Sequence, residues 1–219
     1  QATKPLLLEQ SFPVGLFERE RAQALADARS ITEDRARQAR LTAVMLACEG
    51  EPYGVPEHGG ESAIEAMSPG DPALAMRDFL ERSEMTVLLA GAVPQGAEQS
   101  VEALLRALPA RLTEPLPATV QPMRREPRLA RDRARMQQAK VVLVLRTKIP
   151  ESPRAQAALQ AAMSLWGGGP HSRLFTEVRE KRSLCYYASA GGDSDKGLVL
   201  MQSGCDASAV DAVGRESMA

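Results

Sequence analysis

The stretch from Gly167 to Ala190, GGGPHSRLFTEVREKRSLCYYASA, constrains the fold of this chain more than any other segment. Three glycines followed by a proline cannot continue the helix predicted before them, so the chain must turn at 167–170. Ser172 is the predicted N-cap of a short helix with one apolar face, and an aromatic strand is predicted after that helix. The segment therefore predicts two helices separated by a tight turn, with a strand following closely.

The remaining segments predict a mixture of helices and strands. Apolar periodicity and composition separate the two kinds, and Pro and Gly residues mark the loops between them. Residues 49–60 contain enough Pro and Gly to require an extended loop. The predicted helices cover 17–48, 71–82, 98–112, 155–166, 174–178 and 207–219, and the predicted strands cover 85–93, 140–146, 184–190 and 198–203, the last two forming a hairpin.

Composition and charge exclude several classes of protein. With 44% hydrophobic and 25% charged residues in 219, the chain has the composition of a globular protein. A net charge of −1 is not that of a dedicated nucleic-acid binder, and no apolar run of about 18 residues predicts a membrane span. Cys48, Cys185 and Cys205 form no CxxC pair, so we expect reduced thiols and a cytoplasmic location. The first residue is not methionine and the last residues are predicted to be helical, so we expect a fragment.

The Gly167 to Ala190 block closely resembles the C-terminal signature of the M16 peptidase family, which includes pitrilysin, insulinase and mitochondrial processing peptidase. The loop PYGVPEHGG at 52–60 and the apolar segment 85–93 extend the resemblance upstream. The resemblance implies an α+β fold, in which M16-type, metallohydrolase-like domains combine an antiparallel sheet with packed helices.

Four prolines lie close together between the two halves of the chain and indicate a linker. With the resemblance, they predict two partial domains. Residues 1–112 form the latter part of a first M16-like domain, 113–137 a proline-rich linker, and 138–219 the opening part of a second, substrate-contacting domain.

The resemblance also implies a substrate-binding pair, Arg179 on the helix and Tyr186 seven residues later. A guanidinium and a phenol both donate hydrogen bonds to a peptide carbonyl or to a developing oxyanion. From the residues alone, two structural roles stay open. Arg179 lies near a helix end, where a cation is favourable, and packing explains Tyr186 or Tyr187 on a strand.

The zinc motif of the family, HxxEH, does not occur in this sequence. His58 and His171 are the two histidines of the chain, and the resemblance places Asp27 near the position of the third zinc ligand of the family. We therefore expect no metal site and no catalytic residue in this chain alone. Zinc is expected in a partner subunit or in residues outside the chain.

Three hypotheses for function follow from the resemblance. The first is a non-catalytic subunit that contributes Arg179 and Tyr186 to the cleft of an HxxEH-bearing partner during peptide hydrolysis. The second is a fragment of a self-sufficient zinc metalloendopeptidase, and the third is a non-enzymatic scaffold of the same fold. The partners expected are an HxxEH-bearing M16 subunit or a second copy of the chain, and extended or unfolded peptides, but neither nucleic acid nor membrane.

Overall fold

The computed structural model describes residues 12–108, 126–148 and 152–219. Two compact units share the described residues, one built from 12–28 and 58–108, the other from 29–57, 126–148 and 152–219. The helices are α1 (Val14–Glu33), α2 (Arg35–Ala47), α3 (Glu61–Ala66), α4 (Asp71–Arg82), α5 (Ala97–Ala107), α6 (Pro153–Gly167) and α7 (Val210–Met218), with a π-helix at Leu174–Lys181 and short 3₁₀ turns at Pro52–Gly54 and Ala207–Ala209. The strands are β1 (Ala139–Arg146), β2 (Tyr187–Asp193) and β3 (Leu198–Cys205).

The first unit is helical in its described residues. Its α4 begins where the sequence predicts, after a turn at Ser68–Asp71 in which the Asp71 amide donates to the Ser68 carbonyl at 3.1 Å and the Asp71 carboxylate accepts from the Ser68 amide at 2.7 Å. The side chain of Arg21 on α1 donates to the carbonyls of Glu65 and Met67 at 3.5 and 3.4 Å. These bonds attach the end of α3 to α1.

The prediction of a strand at 85–93 is wrong. This segment contains no regular secondary structure, and no strand within 12–108, 126–148 and 152–219 pairs with it. A continuous apolar run forms a buried strand only where neighbouring strands satisfy its backbone and cover its faces. Without them its side chains stay exposed, and Leu88 is 87% accessible.

The second unit is built around a three-stranded antiparallel sheet in the order β1-β3-β2. The central strand β3 pairs Leu200 with Val144 of β1 and Met201 with Ala190 of β2. One face of the sheet packs against α6, the π-helix and α7, burying Met201 among other apolar residues. At one end of the other face, α2 covers Leu198 and Leu200. Each fully buried aliphatic side chain stabilises the fold by roughly 1.5–3 kcal/mol.

The antiparallel sheet and packed helices confirm the predicted α+β fold. The predicted hairpin is present as β2 and β3, and the segment 17–48, for which one or two helices are expected from the sequence, forms α1 and α2. The division at 1–112, 113–137 and 138–219 stays a prediction, and most of the linker lies outside the described residues.

The three cysteines are buried free thiols, and burial raises the pKa of Cys48 and Cys205.

A buried carboxylate connects the PYG loop to the sheet. The side chain of Glu51 is fully buried and forms ion pairs with Arg146 at the end of β1 (2.5 Å) and with Lys196 in the β2–β3 turn (2.6 Å). Arg146 also donates to the carbonyl of Ala47 at 3.1 Å. Since charges removed from water are stable only when paired, the cluster specifies how loop and sheet meet.

Tyr53 makes a second connection between the same loop and the same turn. Its hydroxyl donates to Oδ2 of Asp193 at 2.9 Å, and the Lys196 ammonium lies 5.6 Å from its ring centroid. Burial, followed by the hydrogen bond to Asp193, raises the pKa of Tyr53 to about 12. The phenol therefore stays protonated and keeps donating at neutral pH.

The Glu51→Gln variant tests the buried cluster. Removing the charge leaves Arg146 and Lys196 partly buried without their shared anion, so the free energy of unfolding should fall by about 3–5 kcal/mol. Urea unfolding of the full chain measures this loss.

Glu49→Gln is the matched control. Glu49 pairs with Arg128 at 2.5 Å, but its side chain is 63% exposed. An exposed pair contributes about 0–1 kcal/mol, so this variant should unfold close to the wild type. Equal losses in the two variants would contradict a special role for the buried carboxylate.

Candidate functional site

The glycine turn holds α6 against β2 and the π-helix. At Gly167, the last residue of α6, an added Cβ would lie 2.3 Å from the Ala190 amide nitrogen and 2.8 Å from Cδ1 of Leu174. The amide of Gly168 donates to the Ser164 carbonyl at 2.8 Å and ends the helix. A glycine is required at 167 because a side chain would push the three elements apart.

The short helix that follows is wider than an α-helix. The Ser172 hydroxyl accepts from the Phe175 amide at 3.4 Å, which is the predicted cap, and the helix is a π-helix over Leu174–Lys181. Leu174 and Val178 are each 1% exposed and fix its inner face in the core. π-Helical turns occur frequently at functional sites.

Arg179 lies on the π-helix with its guanidinium 4.5 Å from the ring centroid of Phe175. Two neighbouring cations are already paired with one carboxylate, since Glu177 lies 2.6 Å from Lys181 and 3.5 Å from Arg182. Among the described residues, the Arg179 side chain has one ionic neighbour, Glu180 at 3.8 Å, and no hydrogen bond. Its guanidinium therefore lies over an aromatic ring and without a close carboxylate partner.

An open pocket of about 280 Å³ lies beside Arg179. The described residues around it are Gly167, Gly168, Gly169, Pro170, Phe175, Arg179, Tyr187, Ala188 and Ser189. Arg179 is the charged residue among them. The pocket therefore combines apolar and aromatic walls with a single set of strong hydrogen-bond donors.

The two tyrosines take different places. Tyr186 precedes β2, is 52% exposed and donates its hydroxyl to Oδ1 of Asp206 at 2.8 Å; it is not among the residues around the pocket. Tyr187 is the first residue of β2, and its ring lies across Gly204, where an added Cβ would be 2.3 Å from Cε1. Tyr187 borders the same pocket as Arg179, but its ring lies over Gly204 on the face of the sheet opposite to the π-helix, while Tyr186 is engaged by Asp206.

Tyr187 was missed as a site residue by sequence reasoning, which considered only its packing. Strand alternation places Tyr187 and Ser189 on one face of β2, opposite to the face that Ala188 and Ala190 turn toward the core. The Lys140 ammonium lies 5.3 Å from the Tyr187 ring centroid. A cation at this distance from an aromatic face is attractive and helps to hold the ring.

Ser183, two residues after the end of the π-helix, has a left-handed conformation, with φ at +51°. Its amide donates to the Arg179 carbonyl at 3.0 Å, and the Leu184 amide donates to Val178 at 3.1 Å. This turn directs the chain from the π-helix into β2. It thereby sets the distance between Arg179 and the tyrosines.

No group of three His, Cys, Asp or Glu residues suited to a metal ion occurs in the part of the chain that the structure describes. His58 and His171 are exposed, and Asp27 accepts a hydrogen bond from Gln23 at 2.9 Å. In the same residues, no helix has the length and apolar composition for a membrane crossing.

The fold of the described residues is α+β, with helices packed on a small antiparallel sheet. Residues 75–216 match the family model described as the peptidase M16 inactive domain. The chain therefore belongs to the peptidase M16 family.

Known relatives agree with this assignment. The chain is 25% identical over 177 residues to the probable inactive metalloprotease YmfF of Bacillus subtilis (strain 168), covering 81% of this chain and 42% of that protein. It superposes on a conserved protein from Enterococcus faecalis V583 with a TM-score of 0.82 and 27% identity, over 93% of this chain and 48% of the other.

A further solved structure shows the fold alone. The peptidase M16 inactive domain from Pseudomonas fluorescens matches with a TM-score of 0.66 and 18% identity, over 94% of this chain and 50% of that one. The chain thus spans about half the length of the relatives it matches.

Replacing Ser183 tests the strained turn. Ser183→Gly should raise the free energy of unfolding by about 1 kcal/mol, because a side chain in the left-handed region costs roughly that much. Chemical denaturation measures the difference, and Ser183→Ala, which removes the hydroxyl but keeps Cβ, is the control. Equal stability of the Gly and Ala variants would show that the turn is unstrained.

The titration of Tyr186 tests its contact with Asp206. The hydrogen bond from the phenol to this carboxylate raises the pKa of Tyr186, because a nearby negative charge opposes formation of the phenolate. Tyrosinate absorbance, taken as the wild type minus Tyr186→Phe, should show a midpoint above the usual value of about 10. Asp206→Asn should lower that midpoint, and an unchanged midpoint would mean that the contact does not form.

Proposed function

We propose that this chain belongs to a non-catalytic M16-type subunit that binds extended peptides and completes the cleft of a zinc-bearing partner. The observation that carries the proposal is the state of Arg179. Its guanidinium is stacked on Phe175, faces an open pocket and makes no hydrogen bond within the described residues. Such a group binds peptide carbonyls or carboxylates without losing an existing partner.

The sheet edge next to the pocket supports an extended ligand. In the order β1-β3-β2, the strand β2 has β3 on one side and no further described strand on the other. An extended peptide that adds to such an edge receives main-chain hydrogen bonds, while a neighbouring pocket receives one of its side chains. Arg179 and the glycine turn lie beside this edge.

The role of Tyr186 follows from its donor geometry. Asp206 accepts the hydrogen bond of the phenol, raises its pKa and fixes it near the start of β2. A small rotation would transfer the hydroxyl from Asp206 to a peptide carbonyl. We assign Tyr186 to contact substrate in the assembled cleft, and Asp206 to hold it beforehand.

Zinc chemistry belongs to the partner in this proposal. A zinc ion in an HxxEH site polarises the peptide carbonyl and activates water, whereas Arg179 and Tyr186 supply binding and stabilise the oxyanion that develops. The inactive-domain match and the inactive relative from Bacillus subtilis support this division of roles.

A second candidate is a self-sufficient metallopeptidase of which this chain is one part. It is favoured by the finding that the chain spans about half of its relatives. Zinc analysis of the complete protein separates the candidates. Stoichiometric zinc and activity in the protein alone would support the self-sufficient metallopeptidase. Zinc and activity only in the presence of a partner would support the non-catalytic subunit. No zinc and no activity in any preparation would support a scaffold.

Substitution of Arg179 tests the proposed contribution to the cleft. In a mixture with an HxxEH-bearing partner, Arg179→Ala should lower kcat/KM for a fluorogenic peptide by about 10²-fold, the usual loss for an oxyanion donor. Tyr186→Phe should lower it in the same direction. Lys181→Ala is the matched control, because Lys181 is on the same helix and is paired with Glu177. Unchanged rates for Arg179→Ala and Tyr186→Phe would contradict the site assignment.

A further inference from the structure

Two of the three buried cysteines lie in the same part of the core. Cys185 is 9% exposed and Cys205 is 0% exposed, and both belong to the apolar cluster between the sheet and the helices on its core face. Cys48 lies in a separate cluster, with Leu198 and Leu200 under α2. The second unit therefore contains two thiols that share a cluster and a third thiol apart from them.

A β-bulge at the entrance to β2 turns Cys185 into the core. Tyr187 is the register partner of Gly204, and the Tyr186 amide donates to the Gly204 carbonyl at 2.8 Å. Two residues of one strand thus oppose one residue of its neighbour, which is the pattern of a bulge. Without the bulge, strand alternation would place Cys185 on the face of Tyr187, away from the core. The bulge shifts this alternation by one residue.

The bulge also places the two cysteines opposite each other. Beyond Tyr186 and Gly204, the next residues of the two chain segments are Cys185 and Cys205. Opposed residues of antiparallel strands have Cα atoms about 4.5–5.5 Å apart, which lies within the range of about 4.4–6.8 Å that a disulfide spans. The pKa of Cys205 agrees with this placement, since it is raised first by burial and next by the charge of Cys185.

We propose that Cys185 and Cys205 form a disulfide when the folded chain is exposed to a peroxide. Cys185 reacts first because it is the more exposed of the two. Its thiolate attacks one oxygen of hydrogen peroxide, the O–O bond breaks, and a sulfenic acid and hydroxide form. The Cys205 thiolate then attacks the sulfenic sulfur, the S–O bond breaks, and a second hydroxide leaves. The two hydroxides take up the two thiol protons, so two thiols and one peroxide give one disulfide and two waters. The sulfur atoms are oxidised and the peroxide oxygens are reduced.

The new bond would hold a contact of the candidate site in place. Tyr186 directly follows Cys185, Asp206 directly follows Cys205, and the Tyr186 hydroxyl donates to Oδ1 of Asp206 at 2.8 Å. A covalent link next to this hydrogen bond fixes the segment that enters β2 against β3. The proposal does not depend on peptide binding, and it adds an oxidation-sensitive clamp beside the site.

The test is peptide mapping of the full chain after native exposure to stoichiometric hydrogen peroxide. Remaining thiols are alkylated in denaturant, and the chain is digested with trypsin without reductant. Cleavage after Arg182, Lys196 and Arg215 leaves the two cysteines on separate peptides, 183–196 and 197–215. We expect a species with the summed mass of these peptides less two hydrogens, which reduction separates. Cys48, the internal control, should be recovered in alkylated form.

Variants and stability give further readouts. Cys185→Ala and Cys205→Ala should each abolish the linked species, while Cys48→Ala should keep it. The oxidised wild type should unfold at a higher urea concentration than the reduced wild type, because the link restricts the unfolded chain. The wild-type map requires no substitution, so it decides even where a core variant does not fold.

Three results would overturn the proposal. The first is recovery of Cys185 and Cys205 as alkylated thiols after peroxide treatment. The second is oxidation of Cys185 to a sulfinic acid without a link to Cys205. The third is a link from Cys48 to either residue that forms as readily as the link between Cys185 and Cys205.

Discussion

The buried carboxylate of Glu51 joins parts of the second unit that are far apart in the sequence. It contacts the end of β1 through Arg146 and the β2–β3 turn through Lys196. Replacing such a cluster by apolar residues often leaves a protein equally stable, so the value of the cluster lies in selecting one arrangement. With that arrangement fixed, β3 is held between its neighbours, and β2 presents the same residues to the pocket.

The basic residues at the end of the π-helix differ in whether they are paired with a carboxylate, and the candidate site depends on this difference. Lys181 and Arg182 share Glu177, and Arg182 also reaches Glu216 on α7 at 3.0 Å. These contacts fasten the helix to its surroundings. Arg179 is left beside an aromatic ring and an open pocket. Lys181 and Arg182 are thus engaged in ion pairs, whereas the nearest carboxylate to Arg179 is that of Glu180 at 3.8 Å.

Local signals in the sequence identified much of this fold, but they did not identify contacts between distant residues. The start of α4 follows from the turn signal at Ser68–Asp71, and the hairpin follows from two apolar segments around a turn. The strand at 85–93 failed because an apolar run does not reveal whether partners exist to cover it. Arg179 was chosen through family resemblance, whereas its stacking on Phe175 and the place of Tyr187 became visible only with the sheet register. No local pattern predicts that Glu51 is buried between two cations.

The exposed apolar segment at 85–93 has a consequence for handling the protein. It contains no charge and no proline, it is rich in β-forming residues, and its described surroundings leave Leu88 in water. Segments of this kind template cross-β pairing between molecules when they are left uncovered. Preparations of this chain by itself would accordingly be limited by aggregation that grows with concentration, and a charged gatekeeper residue introduced at Leu88 would extend their useful range.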